Sequence, residues 1–276
     1  MGMKDADDRW FNGTRYRIHG TGDPLVLIHG VGLTIEHWDA LVPLLAPHAR
    51  VVVYDAAGHG RSDPPPAYDM GAFVRQLEGL LGHLGIRRCD ILGYSMGALI
   101  AEGYALRHPD AVRRLILLSG VYDRTPEERS AVLDRIEQSR KEGYSGYLAS
   151  LPVALNRYLT PAFRERRPDV VKELMERLEK NDLESFLSAY AFFGTADAEL
   201  TADLHRIACP TLVVTGEDDP RSTATMSRKL AQRLPNARLS ILAGLRHMPT
   251  LEAPDTLATL FVEFLSHAND LQRSPR

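Results

Sequence analysis

Cysteine is nearly absent: Cys89 and Cys209 are the two in 276 residues. They stand far apart, each before or within an apolar run, which excludes a disulfide framework and points to buried free thiols in a reducing compartment. A catalytic thiol is the sharper reading of either, and that apolar company weighs against it. Long apolar runs are missing too. No stretch approaches the ~20 residues that cross a bilayer, and the opening Met1-Gly2-Met3-Lys4-Asp5-Ala6-Asp7-Asp8-Arg9 lacks the apolar core of a secretory signal. The expectation is a cytoplasmic protein without a membrane partner. Net charge is small as well, 33 basic against 36 acidic side chains giving −3, so there is no overall basic surface to attract nucleic acid or anionic lipid. Cysteines and histidines do not cluster at metal-ligand spacing, and no glycine-rich phosphate loop is present. Neither a metal nor an organic cofactor is expected.

What is present is the alternation of an α/β chain. With 44% hydrophobic residues over this length, one large core domain with an insertion is the natural reading. Residues 10–19 read as an opening hairpin strand. Leu25-Val26-Leu27-Ile28, 49–54, 89–94 and 113–118 are apolar runs without alternation, as strands buried on both faces require. Helices are expected over 36–47, 70–84 and after residue 95, so the sheet is predicted to be mostly parallel and flanked by helices. From 122 to 205 no strand is legible, only amphipathic helix at 126–142, 147–158, 169–180 and 183–193. Strands and helices resume at 209–216, 222–234, 237–242 and 254–267. This predicts a core in two parts, 1–121 and 206–276, interrupted by a helical cap at 122–205, with a frayed tail over 270–276.

The chemistry centres on Gly93-Tyr94-Ser95-Met96-Gly97, between a strand and a helix. A serine on so sharp a turn needs small residues two positions before and after it, and its hydroxyl is pushed out beside a helix N-terminus that favours developing negative charge. A serine hydroxyl is not ionised at neutral pH, so it needs a base. His247, directly after the last strand, lies on the sheet edge where the parallel strands end. His59, His83, His108, His205 and His267 fall in loops or on helix surfaces and read as solvated. The base needs a carboxylate, and Gly216-Glu217-Asp218-Asp219-Pro220 offers three. Asp219, closing the tight turn, is preferred over Asp218, with Asp123 a further candidate. The order Ser95, Asp219, His247 is that of hydrolases with a Gly-x-Ser-x-Gly turn. An oxyanion needs two backbone amides: Met96, after the nucleophile, and Val31 in His29-Gly30-Val31-Gly32, where glycines let the backbone approach.

Together with Asp55-Ala56-Ala57-Gly58-His59-Gly60-Arg61-Ser62 and Arg246-His247-Met248-Pro249, these motifs resemble the α/β-hydrolase superfamily over about residues 12–267. The resemblance is greatest to bacterial catabolic serine hydrolases of the 3-oxoadipate enol-lactonase type. It implies an α/β-hydrolase fold whose helical cap shapes the pocket, with the Asp55 loop structural. It also implies hydrolysis, through an acyl-enzyme, of a small ester, enol-lactone or amide, a carboxylate-bearing intermediate of aromatic or heterocycle breakdown. Serine at 95 departs from the aspartate of dehalogenases and epoxide hydrolases. Met248 stands where carbon-carbon hydrolases of meta-cleavage products carry tryptophan, which weakens that alternative. A ligand receptor on the same fold is the alternative of another class. His29, Tyr190, Phe193 and Arg246 are the pocket candidates, among cap aromatics that include Tyr144, Tyr147, Tyr158 and Phe192. Arg124 and Arg157 join Arg246 as possible carboxylate partners that read singly as solvated surface. A homodimer through the cap or an edge strand is compatible with the chain.

Overall fold

The computed structural model describes residues 7–267, so the expected frayed tail and the side chain of His267 lie outside the described residues. Eight strands form one sheet: Arg9–Phe11 (β1), Thr14–His19 (β2), Pro24–Ile28 (β3), Arg50–Tyr54 (β4), Cys89–Tyr94 (β5), Val112–Leu118 (β6), Thr211–Gly216 (β7) and Ala237–Leu242 (β8). Their order is β1-β2-β4-β3-β5-β6-β7-β8, antiparallel at β1/β2 and β2/β4 and parallel from β4 onward. The apolar runs explain this placement. On β3, Leu25 and Leu27 pack into one core while Val26 and Ile28 pack into the other, and β4 divides Val51 and Val53 from Val52 and Tyr54 in the same way.

The helices are α1 (Val42–Leu45), α2 (Met70–His83), α3 (Met96–Arg107), α4 (Pro126–Tyr158), α5 (Pro161–Arg166), α6 (Pro168–Leu178), α7 (Leu183–Leu200), α8 (Ala224–Arg233), α9 (Pro249–Glu252) and α10 (Pro254–His267). The helix expected over 36–47 is instead a 3-10 turn at Ile35–Trp38 followed by the single turn α1. Trp38, Leu41 and Leu45 are buried as a helical stripe would bury them, so burial rather than helix is what that pattern encodes. Four helices, α4 to α7, fill the chain between β6 and β7. A capping box at Thr125 and Glu128 starts α4, and the run bends at Gly143, whose φ of 65° leaves the helical region. The short α5 escaped the sequence pattern, and α7 runs seven residues past its expected end.

Among the described residues no helix is long and apolar enough to cross a membrane. Cys89 is buried and Cys209 half-buried, and both are free thiols. Burial pushes the Cys89 thiol up to about 12 and that of Cys209 up to about 11, far from a reactive thiolate.

Candidate active site

Ser95 sits between β5 and α3 with φ 54° and ψ −112°, a strained conformation for a residue with a side chain. A Cβ on Gly93 would run into the backbone of Gly97, and one on Gly97 into the carbonyls of Ile28 and His29, so strand and helix meet only because both positions are bare. The Ser95 amide donates to the Leu118 carbonyl at 2.9 Å, which ties the turn to β6. Met96 is the first residue of α3, and its amide has no acceptor within the helix. Gly30 brings the β3 loop alongside: a Cβ there would stand 3.2 Å from that of Ser95. Val31 follows on the cavity wall, so the two candidate oxyanion donors flank the serine.

His247 and Asp219 meet between the ends of β7 and β8, with Nδ1 and Oδ2 2.8 Å apart. The other oxygen of Asp219 accepts from the amides of Arg221 at 2.8 Å and Ser222 at 3.0 Å. Asp219 is 3% exposed whereas Asp218 and Asp123 face solvent, which separates the three candidates. The His247 carbonyl accepts from Tyr94 Oη at 3.0 Å and Ser119 Oγ at 3.2 Å, pinning the loop to the neighbouring strand ends. With Nδ1 engaged, Nε2 is the ring nitrogen left for chemistry. Ser95 and His247 line one cavity, and no hydrogen bond joins them; such contacts often tighten only when substrate arrives.

The cavity has a volume of about 370 Å³ and lies between the strand ends and α4, α6 and α7. Tyr190 and Phe193 line it as expected, and so do Tyr147, Tyr158 and Arg157. Two pocket candidates do not. His29 is fully buried beneath the floor, its Nδ1 2.8 Å from the Gly30 carbonyl oxygen and its Nε2 accepting from the Ala56 amide at 2.9 Å. Burial lowers its pKa to about 4, so it is a neutral strut between two loops. Arg246 turns away to donate to the carbonyls of Asn156 at 2.8 Å and Leu159 at 3.2 Å, clamping the end of α4. Phe192 packs on Phe73, 4.7 Å between ring centroids, and Tyr144 is exposed.

Two further surface readings fail. His59 is buried beside His29, and burial lowers its pKa to about 3. Arg124 is buried and already paired with Asp197 at 3.2 Å, so it holds no substrate carboxylate. Asp55 accepts from the amides of Ile35 at 2.8 Å and Arg61 at 3.0 Å and pairs with Arg15 at 3.2 Å, which makes its loop structural. Arg135 and Arg221 line the cavity and were not singled out from sequence, although Arg221 stands two residues after the candidate acid. Among the described residues no group of three or more His, Cys, Asp or Glu side chains is placed to hold a metal ion.

A family model described as the alpha/beta hydrolase fold matches residues 23–254. The (E)-2-((N-methylformamido)methylene)succinate hydrolase of Acinetobacter baylyi is 33% identical over 87% of this chain and 89% of its own length. The 2-hydroxymuconate semialdehyde hydrolase of a Pseudomonas strain is 30% identical over 93% of this chain and 92% of its own. Among solved structures, the enol-lactonase from Burkholderia xenovorans superposes with a TM-score of 0.85 at 30% identity, covering 94% of this chain and 99% of that one.

Proposed function

The chain belongs to the α/β-hydrolase fold family, and from that premise we propose that it is a serine hydrolase cleaving a small carboxylate-bearing ester, enol-lactone or amide. The observation that carries the reading is the Asp219–His247 pair opening on the same cavity as a serine held at φ 54°. Ser95 Oγ attacks the substrate carbonyl carbon while His247 Nε2 takes its proton. Asp219 fixes the tautomer through Nδ1 and stabilises the imidazolium. The amides of Val31 and Met96 receive the oxyanion. On collapse His247 hands its proton to the leaving oxygen or nitrogen, and water activated by the same ring releases the acyl group. The helices α4 to α7 serve as the cap, and the free thiols suit a reducing cytoplasm.

The relatives support the bond classes separately: one is named for a formamido compound, and one solved neighbour is an enol-lactonase. A second reading, carbon-carbon bond hydrolysis, is favoured by the 30% identity to the semialdehyde hydrolase. Intact-mass spectrometry after treatment with a small fluorophosphonate tests the serine mechanism. Labelling of wild type that vanishes in Ser95→Ala is expected, and a folded, unlabelled wild type would sink it in favour of a ligand receptor. A panel of lactones, amides and coloured dienones then separates the bond classes, since only carbon-carbon hydrolysis bleaches the dienone.

A further inference from the structure

Elsewhere in this molecule buried arginines are neutralised. Arg15 and Arg17 pair with Asp8, Arg114 with Asp90 and Arg124 with Asp197. The cavity wall holds cations without such partners, two of them half-buried and one exposed. Arg135, Arg157 and Arg221 line it, and its wall contains no aspartate or glutamate. None of the three is in an ion pair among the described residues, and the Arg135 Nε is buried without a partner. A chain with a net charge of −3 has therefore placed three cations on the wall of the cavity that its candidate nucleophile also lines. Charge in a partly desolvated site is costly unless an anion completes it.

Arg221 is the innermost in chemical terms. Its backbone amide donates to Asp219, while its guanidinium faces Tyr158, whose ring lies 5.0 Å from that of His247. The Asp219 carboxylate attracts that guanidinium from nearby without bonding to it. Its oxygens are taken by the His247 ring, two amides and, more distantly, the Thr215 hydroxyl at 3.4 Å. Arg157, on α4, is exposed where it lines the cavity.

We propose that Arg221 is the carboxylate anchor of this site: its guanidinium, backed by Tyr158, takes a carboxylate carried by the substrate beside the scissile acyl group. This rests on the serine-hydrolase reading and narrows it to half-esters, half-amides and lactones of short dicarboxylic acids. A planar, always charged guanidinium suits the role because it meets both carboxylate oxygens at once. Arg157 and Arg135 supply an attractive field at the approach and do not set the position of the acyl group.

The test compares kcat/KM for mono-4-nitrophenyl succinate and neutral 4-nitrophenyl butyrate. Wild type is expected to favour the anionic ester by on the order of 10²-fold. In Arg221→Gln that ratio collapses toward one, and Arg221→Lys recovers part of it because an ammonium keeps the charge without the fork. Arg157→Gln lowers the ratio far less, and raised salt erodes its effect more than that of Arg221→Gln. Calorimetric titration of Ser95→Ala with succinate reads the anchor without chemistry: binding is expected, and the Ser95→Ala, Arg221→Gln double variant loses it. If fluorophosphonate fails to label Ser95 yet succinate binding still depends on Arg221, the hydrolase reading falls and the anchor stands. A wild type indifferent to the carboxylate, or an Arg157→Gln loss equal to that of Arg221→Gln, overturns the anchor.

Discussion

Asp219 illustrates how one residue's hydrogen-bond inventory favours it over its neighbours for the proposed role of acid. A carboxylate accepts only, and both of its oxygens are occupied, one by the His247 ring and one by the Arg221 and Ser222 amides. Asn at this position keeps the shape but offers an amide nitrogen, which selects the wrong ring tautomer. Asp219→Asn is expected to lower turnover of an activated ester by about 10⁴-fold with the fold intact. Asp218→Asn and Asp123→Asn, at exposed positions, keep the wild-type rate. Stopped-flow acylation rates for the three variants decide it, and a large loss in Asp218→Asn would reassign the acid. Ser95 and His247 were legible because a strained turn and a strand-end loop leave local signatures. Arg221 was not, because its place on the cavity wall, with no direct ion pair, is a property of the assembled fold. Arg246 misled for the same reason: the Asn156 carbonyl that captures it lies 90 positions away.

At the scale of elements, the join between the helical block and the sheet rests on a charged cluster. Asp197, on α7, accepts from the Arg124 amide at 2.9 Å and pairs with the guanidinium groups of Arg124 at 3.2 Å and Arg129 at 3.0 Å. Arg124 also donates to the Phe193 carbonyl at 2.8 Å and lies over the Phe193 ring, 4.4 Å from its centroid. The chain entering α4 is thus bolted to the helix that contributes Tyr190 and Phe193 to the cavity. Removing one member strands a buried charge, so Asp197→Ala is expected to cost about 3–5 kcal/mol. Urea unfolding measures the loss, and hydrogen exchange should show α4 and α7 losing protection before the strands. A loss spread evenly over the sheet would contradict this placement. The helical block itself was readable from periodicity, even to the break between 142 and 147 that proves to be the bend at Gly143. The turn at Ile35–Trp38 was not readable as 3-10, since a buried stripe at helical spacing is satisfied by either geometry.

For the molecule as a whole, buried imidazoles in the loops that carry the site contribute a loss of stability in acid. His37 stacks on Tyr94 with ring centroids 4.6 Å apart, sits 3.0 Å from the Thr250 hydroxyl through Nε2, and is 3% exposed. Burial, with the neighbouring rings of His29 and His247, lowers its pKa from 6.5 to about 3, and His29 and His59 are lowered in the same direction. The unfolded ring takes a proton near 6.5 and the folded ring refuses it until about 3, so between those values the unfolded state binds more protons. Each ring's share of stability is therefore complete above 6.5 and is lost as pH falls toward 3 for His37 and His59 and toward 4 for His29. Asp39, raised to about 6 by burial, and Asp55, Asp90 and Glu102, raised by burial too, act in the opposite sense, while Glu36, lowered to about 2 beside Arg15, acts with the imidazoles, so a bare wild-type profile mixes them. Comparison with His37→Phe isolates the imidazole. The variant keeps the stacking on Tyr94 and loses the Thr250 bond at every pH, so its offset is constant and only its slope differs. Between pH 6 and pH 4.5 wild type should lose about 1.4 kcal/mol per pH unit relative to the variant, read from paired urea midpoints. Parallel profiles would mean that the ring takes up its proton in the folded state as readily as in the unfolded chain.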